Sequence, residues 1–186
     1  MKNIYRMLSA ALLCLCGLMV SAQSIDTTGL QKNENGTISF ARVANAKMAD
    51  AKNFLTTALY ATGNDSFALI KETTDELGMV HLRYQQYYKG VKVENAEYML
   101  HGKNAGIETM NGDFQIVNIV SVAPLLSEEE ALADALLYVN AKEYKWQDPA
   151  SENFIKQMNN DPKATYYPKG KLVIERDYLK GGKNLL

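Results

Sequence analysis

Between residues 79 and 101 the chain reads MVHLRYQQYYKGVKVENAEYMLH. Apolar and polar positions alternate up to Lys89-Gly90 and alternate again beyond it, the period-2 signature of two strands that each bury one face. Parity places Val80, Leu82, Tyr84 and Tyr88 on one face, with His81, Arg83, Gln85 and Tyr87 on the other. In the return strand Val91 and Val93 share a parity, but Ala96, Tyr98 and Leu100 have the opposite one. A strand changes phase only through an inserted residue, so a bulge is expected near Glu94-Asn95.

The flanking pattern supplies the other elements. Residues 23–44, rich in Ser, Thr, Asn, Gly and Gln, read as a loose leader with one short strand near 37–40. Over 46–60 the apolar residues Met48, Ala51, Leu55, Ala58 and Leu59 recur at helical spacing, and Gly63 stops the helix. Residues 67–70 read as a short strand and 74–78 as the turn into the hairpin. A third strand begins at 106, and Asn111-Gly112, the strongest two-residue hairpin signal, is expected to turn it into a strand over 114–119.

Pro124 marks the next boundary. Behind it Ser127 and Glu130 form a capping box, which contributes about 1 kcal/mol to the helix they open. Glu128, Glu129 and Glu130 suit the positive end of that helix and are not read as catalytic acids. Leu132, Ala135, Leu136 and Val139 make its apolar stripe, expected to run until Asp148-Pro149. After a polar link, 171–178 reads as a strand and Gly181-Gly182 as a turn. Residues 184–186 then only begin a return strand. The expected fold class is α+β: an antiparallel meander packed on a helix, followed by a second, incomplete helix-plus-antiparallel-sheet domain.

Residues 1–22 change the setting of all this. Lys2 and Arg6 precede an apolar run of about 14 residues, and Val20-Ser21-Ala22 is a small-residue cleavage site, as in a signal peptide. The run is shorter than the roughly 20 residues that span a bilayer. Bulky Leu13 and Leu15 before Cys14 and Cys16 argue against lipid attachment. Both cysteines leave with the signal, and an exported chain without disulfides points to a bacterial source. Losing Lys2 and Arg6 leaves 18 basic against 21 acidic residues, a net charge of −3. With no basic cluster, nucleic acid is not expected as a partner, nor is a membrane once the signal is gone.

Catalytic chemistry is hard to find. The zinc-protease motif His-Glu-x-x-His, two histidines one helical turn apart with a glutamate base, does not occur. Of the two histidines, His81 should face a residue near 98 or 99 across a turn at 89–90. His101 then lies two or three residues further along, too far at roughly 3.3 Å per residue to share a zinc ion. There is no Gly-x-Ser-x-Gly elbow, no cysteine beyond the signal and no Gly-rich phosphate loop. Asp and Glu are plentiful, but their spacing promotes no particular pair.

The segment DELGMVHLRYQQYYKGVKVENAEYML, with the strand behind it and MNGDF, resembles the fungalysin–thermolysin propeptide domain over roughly residues 67–117. SEEEALADAL and KLVIERDYLKGG are similar to the small PepSY-like domain that follows it in thermolysin-like precursors. The resemblance divides the chain into signal peptide (1–22), polar leader (23–45), propeptide-like domain (46–123) and a truncated PepSY-like domain (124–186). It implies the pro-region of a secreted zinc metalloprotease, which assists folding and holds the enzyme inactive. The catalytic domain, normally in cis, is then the partner. Zinc is expected only in that domain, and no cofactor on this chain. Arg83, Gln85 and Tyr87 on the polar face of the hairpin, with Glu97, are the expected protease-recognition residues. Each could equally serve as a cross-strand pair on a solvated face.

Two other readings remain open, a free-standing secreted inhibitor or binding module and a secreted enzyme of unrelated chemistry. A continuing reading frame with His-Glu-x-x-His would separate the first from the pro-region, and casein hydrolysis would test the second. Export should cut after Ala22 and leave Gln23, open to cyclisation, as the new terminus. Mass spectrometry finding an uncleaved N-terminus on the secreted product would remove the export argument.

Overall fold

Alternating Val, Leu, Tyr and Ile suit a half-buried pleated surface, and the centre of the chain builds one. The computed structural model describes residues 24–119, 121–177 and 183–185; the expected signal peptide and the Ala22-Gln23 cleavage site lie outside them. Six strands run β1 (Ser24–Lys32), β2 (Ile38–Lys47), β3 (Asp65–Thr74), β4 (Val80–Tyr88), β5 (Val91–Lys103) and β6 (Gly106–Gly112). They lie in the order β1-β2-β6-β5-β4-β3, each pair antiparallel. Two shorter strands, β7 (Val173–Asp177) and β8 (Lys183–Leu185), bring the sheet to eight among the described residues. With helices α1 (Ala51–Ala58), α2 (Glu128–Val139) and α3 (Pro149–Met158) the fold is α+β, three helices with a largely antiparallel eight-strand sheet.

The main core lies between α1 and one face of the sheet. Phe54, Leu55 and Ala58 of α1 pack against Leu82 and Tyr84 of β4, Tyr98 and Leu100 of β5, and Ile107 and Met110 of β6. The parity predicted for the hairpin therefore holds for Leu82 and Tyr84, and for Ala96, Tyr98 and Leu100 beyond the phase change. A second core joins Tyr88, Val93, Ala96 and Val117 to Ile174 of β7. β7 runs parallel to β5 at Lys92–Val93, a stretch that β6 does not reach, since β6 ends with Gly112 opposite Tyr98.

Several expectations give way to tertiary context. The polar leader is a long hairpin, β1–β2, because its ordering comes from ladder bonds to β6 and not from its own hydrophobicity. Asn33 and Asn35 in its turn donate to Asp113 Oδ1 at 3.0 Å and to the Phe114 carbonyl at 3.0 Å. The helix expected from 46 begins at 51, after β2 has claimed Ala46 and one 3-10 turn (Met48–Asp50) has intervened.

Asn111-Gly112 makes no hairpin, and 113–119 is not a strand. Gly112 serves close approach instead: a Cβ there would lie 2.3 Å from the Glu97 carbonyl oxygen and 2.7 Å from Tyr98 Cα. Asp148-Pro149 does not end α2, which stops at Asn140 in the left-handed conformation. It opens α3, with the Asp148 carboxylate capping the amides of Ala150 and Ser151 and Pro149 at the first helical position, where no N–H is needed. The one-armed C-terminal hairpin has a short second arm, β8, paired with Glu175–Asp177.

The capping box at Ser127 and Glu130 forms as expected, yet neither α2 nor α3 contains a buried residue. Their amides should exchange through local opening, while those of β4, β5 and β6 exchange only on global unfolding. Hydrogen-exchange mass spectrometry would check this, and equal protection of α2 and β5 would show that α2 is packed in solution.

Candidate functional site

The hairpin that carried the sequence signal is built around a large irregularity. Gln85 of β4 pairs with Glu97 and Tyr87 with Lys92, so residues 93–96 of β5 face the single residue Gln86. The bulge expected near Glu94-Asn95 is there, but with three extra residues. Asn95 takes the left-handed conformation (φ 58°), which Asn tolerates better than most side chains. Such a loop frees backbone carbonyls inside the structure, and each must find a donor. The two N–H bonds of the Gln85 amide are shared among three carbonyls, those of Val93 (2.7 Å), Ala96 (3.1 Å) and Gln86 (3.0 Å).

Gln86 does the same for the chain beyond β6. Its Oε1 accepts from the Gln115 N–H at 3.0 Å and its Nε2 donates to the Gln115 carbonyl at 2.9 Å, with Asp65 Oδ1 also at 3.0 Å. One side-chain amide thus replaces a ladder rung, and the segment expected as a strand at 114–119 is anchored at Gln115 without forming one. Tyr88 adds a hydroxyl bond to the Ile119 carbonyl at 3.0 Å. Nearby, Tyr98 donates to the Ile38 carbonyl, and burial, with Asp113 alongside, pushes its hydroxyl pKa well up. Burial also pushes the Asp113 carboxyl up, against the pull of Arg176 and of its bond from Gln115.

The expected recognition residues divide. Arg83 and Glu97 are partly exposed cross-strand neighbours, ion-paired at 2.9 Å. Tyr87 is half-buried opposite Lys92, whose ammonium is held charged above its usual range by Glu94 at 2.8 Å. Gln85 does not lie on the exposed face: it is 2% exposed, because the bulge folds over it. Gln86, which the expected site omitted, matters more. A polar residue at an inward parity position, between Tyr84 and Tyr88, was its only signal.

The histidines are also closer than counting from the turn suggests. The three inserted residues shift the register, so His81 faces His101 directly. Their Nδ1 atoms are 2.6 Å apart, with the rings edge to face. Asp75 lies beside His81 at 3.4 Å. Its carboxyl sits below the usual range, chiefly through the Met79 N–H, with His81 and the Leu77 N–H contributing.

Among the described residues no group of three or more His, Cys, Asp or Glu is placed to hold a metal ion. No described helix is long and apolar enough to cross a membrane. The hairpin carries a buried amide clamp under a solvated sheet face, an arrangement that fixes the shape of that surface. Residues 65–114, from β3 through β6, match the Fungalysin/Thermolysin Propeptide Motif, the pro-segment motif of secreted proteases. Among curated proteins none matches the chain.

The clamp can be weighed against the ion pair by mutation. Gln86→Leu should cost about 1–3 kcal/mol for each Gln115 backbone group it leaves unpaired. Arg83→Ala should cost under about 1 kcal/mol, since exposed pairs are screened. Urea denaturation of both variants measures the difference, and equal costs would refute the clamp.

Proposed function

We propose that this chain is the pro-region of a secreted, bacterial thermolysin-like zinc metalloprotease, acting as intramolecular chaperone and inhibitor of a catalytic domain that it does not itself contain. The observation that carries the reading is the match of 65–114 to the propeptide motif. That segment contains the bulged hairpin, with Gln85 and Gln86, so the matched residues include those that shape the surface. The sequence supports a non-catalytic role, since it lacks His-Glu-x-x-His.

In this reading the partner is the catalytic domain, normally in cis, and the zinc of hydrolysis belongs to it. Arg83, Tyr87 and Glu97 meet the protease, while Gln85 acts from beneath by holding the bulge. The region from Pro124, with α2 and β7–β8, corresponds to a PepSY-like unit. Support for that comes from the helix-then-strand order and from apolar residues such as Leu137 and Val139, which α2 leaves in water as an unfinished interface would.

The purified chain should hydrolyse no casein and should slow a thermolysin-like protease added in trans. Arg83→Ala and Glu97→Ala should weaken that inhibition without unfolding the chain. If the chain at high micromolar concentration leaves a matched protease fully active, the inhibitor reading fails.

A further inference from the structure

The register shift leaves one arrangement that the clamps do not use. His81 and His101 sit side by side on the sheet face turned away from α1, both partly accessible to solvent. Their Nδ1 atoms point at each other across 2.6 Å, with ring centroids 4.9 Å apart and planes at 74°. The far nitrogen of each ring meets an oxygen. His81 Nε2 faces Asp75 Oδ2 at 3.4 Å, and His101 Nε2 faces Asn111 Oδ1 at 2.6 Å.

Those oxygens are themselves fixed. Asp75 uses its other oxygen to accept from the amides of Leu77 (2.9 Å) and Met79 (2.8 Å). Asn111 stands in β6, paired with Met99 on one side and Phe40 on the other. An imidazole that donates from Nε2 to an oxygen carries its neutral-state proton there and turns a lone pair outward at Nδ1. Between the two rings the 2.6 Å contact is a hydrogen bond in which one Nδ1 donates and the other accepts, and a divalent ion that displaces that proton meets both lone pairs. An oxygen partner on the far nitrogen is also what orients metal-ligating histidines and raises their basicity.

We propose that His81 and His101 form a two-imidazole site for one borderline divalent transition ion such as zinc(II), with Asp75 and Asn111 setting the tautomers. Imidazole nitrogens select such ions over calcium or magnesium, which take oxygen ligands. Zinc–nitrogen bonds of about 2.0–2.1 Å in tetrahedral geometry need the two nitrogens about 3.3 Å apart. Small rotations of two partly exposed rings supply the difference. Water completes the coordination. The proposal does not depend on the pro-region reading.

The chain has only two histidines, so imidazole nitrogen NMR resolves the site without interference. Zinc sulfate added to the 15N-labelled chain should shift both Nδ1 resonances, saturate at one equivalent and reverse with excess EDTA. Calorimetry should show His81→Gln and His101→Gln each binding zinc at least tenfold more weakly, with circular dichroism confirming that both remain folded. Nδ1 shifts in neither ring or in one only would overturn the proposal. So would variants that fold and bind as the unmodified chain does. The NMR result on the unmodified chain decides the matter even if a variant fails to fold.

Discussion

Four residues of β5, 93–96, lie opposite one residue of β4, and most of the structure follows from accommodating them. The insertion lets Val93 on one side and Ala96, Tyr98 and Leu100 on the other all turn inward despite their opposite parities. It draws Gln85 beneath the loop and sets the histidines directly opposite each other across the strands. At its outer edge, the stretch of β5 that β6 never covers is free to accept β7. Asn95 Nδ2 also reaches Glu175 Oε1 at 3.5 Å, so the bulge and the C-terminal strand meet through side chains as well as backbone.

Polar side chains in such a position are a risk that full satisfaction converts into specificity. Gln85, Gln86 and Gln115 are all buried, and among the described residues no buried side-chain nitrogen or oxygen lacks a partner. Complete networks of this kind reject alternative registers, because a slip by one residue would strand several amide groups without water. A purely apolar packing would be indifferent to such a slip. The geometry of the solvated face above the clamp, including the spacing of Arg83, Glu97 and the histidines, is therefore defined from below.

This arrangement suits a protein that works by shape. The firmly packed part, α1 with β2 to β6, has its own core and a patterned outer face. The part behind Pro124 holds to it chiefly through β7 and Ile174, while α2 and α3 keep their apolar side chains at the surface.

Local chemistry was enough to read the strands of the central hairpin, the presence of its bulge, the capping box at Ser127 and the α+β class. Each depends on periodicity or on contacts within about four residues. Tertiary structure alone decided the rest. The strands of the polar leader exist because β6 offers them a ladder. Gly112 is spent on close approach to β5 instead of a turn. Pro149 starts a helix where its composition equally suits a stop. The length of the bulge was not legible, since one and three inserted residues produce the same change of parity. Only the pairing of β4 with β5 distinguishes them, and that difference moves His101 opposite His81 and Gln85 out of the solvent.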